Sequence, residues 1–304
     1  MNQVIRIGTR DSALALWQAQ NVQKKLQDKG HKTELVPVKS VGDLELDTPL
    51  YDMGITGIFT KTLDIALLKN NIDVAVHSLK DVPTLLPKGI QQSAVLERGN
   101  AKDILVHKGL EFLSDKGIIA TGSLRRRAQW LKKYPNHEVV NLRGNVNTRL
   151  QKLEDHNWNA AIFAAAGLER INILPKNHSS LDWMIPAPAQ GVVMIASKKE
   201  NDMLSGILKS LNDKTTEICA KVERDFLREL EGGCTAPIGA LAFVSEKQLF
   251  FRGILLTIDG KKDVYLERKV AVSQANTIGK TWAQEALSNG GFEIMEEIKQ
   301  QLKK

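Results

Sequence analysis

Four short segments of this 304-residue chain combine hydroxyl, glycine and cationic residues in a pattern suited to holding carboxylates. They are Thr9-Arg10-Asp11-Ser12, His77-Ser78-Leu79-Lys80-Asp81, Thr121-Gly122-Ser123-Leu124-Arg125-Arg126 and Arg143-Gly144-Asn145-Val146. Arginine presents a planar fork of donors that matches a carboxylate, and lysine a compact charge. Serine, threonine and glycine allow close approach to backbone N–H groups. Taken singly, each segment has an ordinary explanation: Ser12 and Ser123 as helix caps, Gly144 as a turn former, the arginines as solvated surface. Four repetitions favour a site for a polyanionic ligand, without saying which one.

Asp81 is a carboxylate among these cations. One reading makes it a turn residue paired with Lys80, since aspartate favours turns. The other makes it a fixed negative charge in a cationic cleft, able to stabilise a positive charge formed during reaction. The two cysteines also read differently from each other. Cys219 lies between Ile218 and Val222 on an apolar helix face, as a small buried hydrophobe does. Cys234 follows Gly232-Gly233 and precedes Thr235-Ala236-Pro237, so it is expected on an accessible loop, as a nucleophile or an attachment point. No CxxC pair is present and the six histidines are scattered, so neither a disulfide framework nor a metal site is expected.

The elements that must position these residues alternate as βα units. Strands are expected at 4–8, 33–38, 72–76, 118–121, 138–142 and 160–163. Helices are expected from Ser12 to Gly30, at 58–69, 124–133 and 146–154. Each of the four segments then falls at the carboxyl end of a strand, where open α/β sheets bind ligands and helix N-termini attract anions. An apolar run at 192–197 is expected to return to the first sheet. After Thr215 the texture changes to a helix (216–230), three strands (near 238–243, 249–257 and 264–272) and two helices (276–288 and 292–302). The expected division is an α/β domain of residues 1–95 plus about 190–213, a second α/β domain of 98–187, and an α+β domain of 216–304.

Composition sets the outer limits. The chain is 42% hydrophobic and 25% charged, as globular proteins are. No run of eighteen apolar residues and no signal-peptide layout is seen, so a cytoplasmic protein without membrane contact is expected. The net charge of +7 and pI near 9.2 could suit nucleic acid. Aromatics at 5% offer few stacking platforms, and the cations sit at separated turns rather than in a stripe, so a small anionic substrate is favoured instead.

The segments Ile7-Gly8-Thr9-Arg10-Asp11-Ser12-Ala13-Leu14-Ala15-Leu16-Trp17-Gln18-Ala19, Val76-His77-Ser78-Leu79-Lys80-Asp81-Val82-Pro83, Thr121-Gly122-Ser123-Leu124-Arg125-Arg126, Leu142-Arg143-Gly144-Asn145-Val146-Asn147-Thr148-Arg149-Leu150 and Leu230-Glu231-Gly232-Gly233-Cys234 together resemble the porphobilinogen deaminases, or hydroxymethylbilane synthases. They occur in order along nearly the whole chain. The resemblance implies two lobes similar to type II periplasmic binding proteins plus a smaller C-terminal α+β domain. It implies a dipyrromethane cofactor joined by a thioether at Cys234. The implied reaction, a step in haem biosynthesis, condenses four porphobilinogen molecules head to tail with loss of ammonia, and hydrolysis then frees linear hydroxymethylbilane. Asp81 would be the catalytic residue, stabilising an azafulvenium-like cation. Lys80, Ser78, Thr121, Ser123, Arg125, Arg126 and Gly144 would hold the cofactor; Arg10, Ser12, Gln18, Arg143 and Arg149 would hold substrate. Neither metal nor nucleic acid is implied, and a monomer is expected.

Some positions depart from the family pattern. In Tyr51–Phe59, Asp52 and Thr56 stand where lysines are usual, while Gly54 and Gly57 still suit a mobile lid. Ala189 replaces a frequent glycine, and Arg127 extends the arginine pair as expected surface.

Overall fold

A computed structural model describes residues 4–38, 60–230 and 236–302. The first sheet has the order β2-β1-β3-β10-β4, built from β1 (Ile5–Thr9), β2 (Thr33–Pro37), β3 (Val74–Ser78), β4 (Ile90–Val95) and β10 (Val193–Lys198). β1 runs parallel to β2 and β3, whereas β10 is antiparallel to both β3 and β4. A sheet covered on both faces needs near-continuous apolar strands. In β3 and β10 every residue but the last is buried. Helix α1 (Ala13–Gln27) lays Ala19, Val22 and Leu26 on one face, with Leu204 and Leu208 of α6 (Asp202–Lys209). Helix α2 (Lys61–Leu68) covers the other face with Leu63 and Leu67.

The second sheet repeats this topology as β7-β6-β8-β5-β9, from β5 (Asp103–His107), β6 (Ile118–Ala120), β7 (Glu138–Val140), β8 (Ala160–Ala164) and β9 (His178–Ser180). Here β5 is the antiparallel member, against β8 and β9. Helices α3 (Leu124–Lys133), α4 (Val146–Asp155) and α5 (Ala165–Arg170) cover it, with Trp130 in one face cluster and Leu153 in the other. The chain therefore crosses between the sheets twice, at 96–102 and 181–192. The crossings touch through their backbones: Gly99 N donates to Gly191 O at 3.0 Å. A Cβ at Gly191 would meet Gly99 O at 2.8 Å, and its φ is +82°, so this contact requires glycine.

The third unit is an antiparallel sheet of β11 (Ile238–Ser245), β12 (Gln248–Leu256) and β13 (Asp263–Ala271). Helices α7 (Lys214–Glu229), α8 (Ala275–Ala286) and α9 (Phe292–Leu302) contribute to the same core, where Phe226, Phe251 and Trp282 meet. No helix among the described residues is long and apolar enough to cross a membrane.

The structure differs from the sequence expectations at several elements, among them helices α5 and α6, which the spacing does not predict. β3 runs Val74–Ser78 instead of 72–76, because its register with β10 pairs Ser78 with Val193. β4, β5 and β9 were not foreseen: β4 carries Gln91, Gln92 and Ser93, and β5 opens on a charged residue. Arg127 is not plain surface: it is half-buried and donates to Val139 O at 3.1 Å.

Candidate active site

The four cationic segments lie at the carboxyl ends of β1, β3, β6 and β7. Ser12 caps α1, its Oγ accepting from Ala15 N, and Ser123 caps α3, accepting from Arg126 N. Asn145 caps α4, accepting from Thr148 N. Three of the four turns therefore lead into capped helix N-termini, a setting that favours anions. Thr121 Oγ1 accepts from Ser123 N at 3.3 Å and so braces the second turn. Gln18, buried on α1, donates through Nε2 to Ser78 Oγ at 2.8 Å, linking the turns after β1 and β3. Gly144 has φ +114°, and Arg149 Nε returns from α4 to donate to its carbonyl at 2.7 Å.

Charge shows how these turns converge. Burial pulls the Arg149 guanidinium down to about 10; Arg126, Arg143 and Arg10 add to that pull and Asp81 opposes it. Burial likewise pulls Lys80 down to about 8, against the favourable field of Asp81 and Asp103 and with the repulsion of Arg126 and Arg125. Residues of the first lobe (Arg10, Lys80, Asp81) thus share one field with residues of the second (Arg126, Arg143, Arg149). Asp81 sits on the 3-10 turn Leu79–Asp81 directly after β3.

Asp103, which lies outside the four cationic segments, organises the second lobe's side. It is fully buried at the start of β5. Arg125 Nη1 donates to its Oδ2 at 2.7 Å, and Arg126 Nη2 and Nε donate to its Oδ1 at 2.7 and 3.0 Å. The two guanidiniums hold the Asp103 carboxyl far below the usual carboxylate range although burial pushes the other way. The arginine pair therefore already has an internal carboxylate, and both side chains also serve carbonyls, of Ile185 and Ile162 respectively. Gln190 on the second crossing donates to Asp103 Oδ1 at 3.0 Å and accepts from Lys80 Nζ at 3.3 Å. A continuous polar chain thus runs from Lys80 through Gln190 and Asp103 to the arginine pair.

A second buried carboxylate, Glu223 of α7, ties the third unit to both crossings. Arg98 binds it through Nη1 and Nη2 at 2.7 and 2.6 Å, and Ala189 N and Ala242 N each donate to it at 2.6 Å. Ala189 is buried with φ +61°, a left-handed conformation that glycine adopts at lower cost. Arg170 joins the lobes from the other side, donating to Gly191 O at 2.7 Å with its guanidinium 5.4 Å from the Trp17 ring centre. No sequence signal marked Arg98, Asp103, Arg170 or Glu223, because each is defined by a partner far away in the chain.

Cys219 is buried, and burial pushes its thiol up to about 11, so it is an inert core residue. Cys234 and the expected lid at 51–59 lie outside the described residues. No group of three or more potential metal ligands occurs among the described residues.

Dipyrromethane carries an acetate and a propionate on each ring, so its holder needs excess positive charge. Arg10, Lys80, Arg143 and Arg149 supply that excess beyond Asp81, with the capped helix ends adding N–H groups. The depressed Lys80 and Arg149 are cations that a bound anion would stabilise. The residues fit the group.

Comparison with known proteins agrees. The family model "Porphobilinogen deaminase, dipyromethane cofactor binding domain" matches residues 5–205, and "Porphobilinogen deaminase, C-terminal domain" matches 217–288. The chain is 39% identical to a porphobilinogen deaminase of Geotalea uraniireducens, over 97% of this chain and 95% of that one. It is 42% identical to a probable porphobilinogen deaminase of Methanocaldococcus jannaschii, over 89% and 94%. Among solved structures, the methionine binding protein MetQ shares 15% identity over 68% of this chain and 89% of its own, with a TM-score of 0.45. By its motifs, its site chemistry and these full-length matches, the chain belongs to the porphobilinogen deaminases, dipyrromethane-bearing transferases of tetrapyrrole biosynthesis.

Proposed function

We propose that this chain condenses four porphobilinogen molecules head to tail, with loss of ammonia at each step, on a dipyrromethane anchored to Cys234, and releases linear hydroxymethylbilane. The observation that carries this reading is the polar chain that joins the turn bearing Lys80 and Asp81 to the second lobe's arginine pair, from Lys80 to Gln190 at 3.3 Å, Gln190 to Asp103 at 3.0 Å and Asp103 to Arg125 and Arg126 at 2.7 Å. A polyanionic pyrrole chain needs those cations, and a pyrrole that has lost ammonia needs the carboxylate.

The bound dipyrromethane supplies the pyrrole terminus from which the chain grows. Lys80, Ser78, Thr121, Ser123, Arg125, Arg126 and the Gly144 turn would hold its carboxylates, with Asp103 bracing the arginine pair from behind. Arg10, Ser12, Gln18, Arg143 and Arg149 receive the incoming substrate. A hydrogen bond to a charged group contributes about 1.5–3 kcal/mol net, so several can retain an intermediate through successive rounds. Asp81 stabilises the positive charge left on the substrate methylene–pyrrole system when ammonia departs. Fixed charges of this kind are worth roughly 10²–10³ in rate. The protein acts as a cytoplasmic monomer.

The test is incubation with porphobilinogen followed by intact-protein mass spectrometry. The expected spectrum shows wild-type protein carrying a covalent adduct and a ladder of bound intermediates. Cys234→Ser should lack the adduct, and an unmodified mass in active wild-type enzyme refutes the anchor. Asp81→Asn should keep its fold and lose at least about 100-fold in turnover. Turnover within threefold of wild type in that variant removes Asp81 from its role.

A further inference from the structure

We infer that Arg224 of α7 is a positioning residue for Asp81, coupling the helix that leads to the cofactor anchor to the working carboxylate. The inference rests on the reading of Asp81 given above. Arg224 Nη1 donates to Leu79 O at 3.2 Å and to Val82 O at 2.9 Å, and Nη2 donates to Pro83 O at 2.7 Å. These carbonyls bracket Asp81 on both sides. Val82 N donates to Leu79 O at 3.2 Å and closes the turn that Arg224 grips. Asp81 is thereby held between anchored carbonyls on either side.

The clamp is itself anchored. Glu223, the preceding residue of α7, is fully buried and accepts from Arg98, Ala189 N and Ala242 N. The adjacent residues thus fix α7 to the crossings and to the Asp81 turn at once. The same helix ends at Glu229, a few residues before Cys234 in the sequence. Three carbonyls fanned around one turn suit the planar fork of arginine, and a lysine ammonium on its single stem reaches fewer of them. In chemical terms α7 holds the turn that carries the working carboxylate. A misplacement of about 1 Å at such a group can cost on the order of 10²-fold in rate.

The experiment uses holoenzyme whose adduct content is checked by intact mass. Arg224→Met is expected to lower kcat roughly 10–100-fold while changing KM less than about threefold. Hydrogen exchange at the Val82 amide should quicken while the β1 amides keep their protection. Added to Asp81→Asn, the same substitution should cost less than about threefold, because its effect passes through Asp81. Wild-type kcat in Arg224→Met, unchanged exchange at Val82, or a full additive loss in the double variant overturns the inference. Should Arg224→Met not fold, Arg224→Lys carries the test: partial kcat, masked by Asp81→Asn, supports the clamp, and full kcat or additivity overturns it. An Asp81→Asn enzyme with normal turnover would sink the functional reading instead, whereas a crippled Asp81→Asn beside a normal Arg224→Met sinks this inference alone.

Discussion

Replacing Asp103 by asparagine is the most direct test of how the cationic wall is held. The carboxylate is fully buried and accepts two bonds at 2.7 Å and two at 3.0 Å, from Arg125, Arg126 and Gln190. Asparagine keeps the volume but removes the charge and turns one acceptor into a donor facing donors. Two guanidiniums, only 5% and 6% exposed, lose their counter-charge. Removing one partner of a buried pair costs about 3–5 kcal/mol. One kcal/mol moves the melting point of a large domain by about 2–4 °C, so a fall of roughly 6–20 °C is expected for the transition that unfolds the second lobe. The assay is scanning calorimetry at pH 7, with Asp182→Asn as comparison. The Asp182 ion pair with Lys102 is largely exposed and screened by solvent, so its loss should leave the melting point nearly unchanged. If Asp103→Asn were as mild as Asp182→Asn, the two arginines would not depend on this carboxylate and the account of the wall would fail. The pH sign follows from the same shift: Asp103 is depressed in the folded state, so its contribution is full above the ordinary carboxylate value of 3.8 and is lost as pH falls below it.

Glu223→Gln should destabilise by about 3 kcal/mol, by leaving Arg98 without a counter-charge at the junction of all three units, and equilibrium denaturation would read it. Gly144→Ala forces a Cβ to within 2.9 Å of Thr148 Cβ at φ +114°, so a cost of about 1–3 kcal/mol and a raised KM are expected from denaturation and steady-state assays. In the cofactor-free protein Lys80 loses its charge as pH climbs through about 8, so capture of the anionic cofactor should weaken between pH 7 and 9, and Lys80→Met should flatten that dependence in a reconstitution assay. With its folded pKa near 8 and its ordinary value at 10.5, the unfolded chain binds the extra proton between those values. The Lys80 contribution therefore makes the protein more stable as pH climbs through that window, which pH-dependent melting would reveal.

The turns that carry Arg10, Lys80, Arg125 and Arg143 were legible because local rules suffice: strand period, capping residue, glycine. α3 and α9 appear with the bounds the spacing predicts, Leu124–Lys133 and Phe292–Leu302. β4 was missed because Gln91, Gln92 and Ser93 lie in its middle, and only pairing with β10 makes it a strand. Asp103 and Glu223 were missed for a related reason. A buried carboxylate looks like any surface acid until the arginine that neutralises it is placed beside it, and Arg98 lies far from Glu223 in sequence. The frequent glycine at the Ala189 position has its cause in the left-handed backbone there, which no local pattern displays.

The double crossing between the sheets also fixes an order of events during synthesis. β3, which delivers Ser78, Lys80 and Asp81, has β10 as one of its two neighbours, and β10 lies more than a hundred residues downstream. At a translation rate of about 5–20 residues per second, that flank stays unpaired for on the order of ten seconds. The strands of the second sheet are contiguous in the chain and can pair within that interval. The nascent polypeptide therefore completes its arginine-bearing half first, and the half that carries Asp81 closes only when the chain comes back to it.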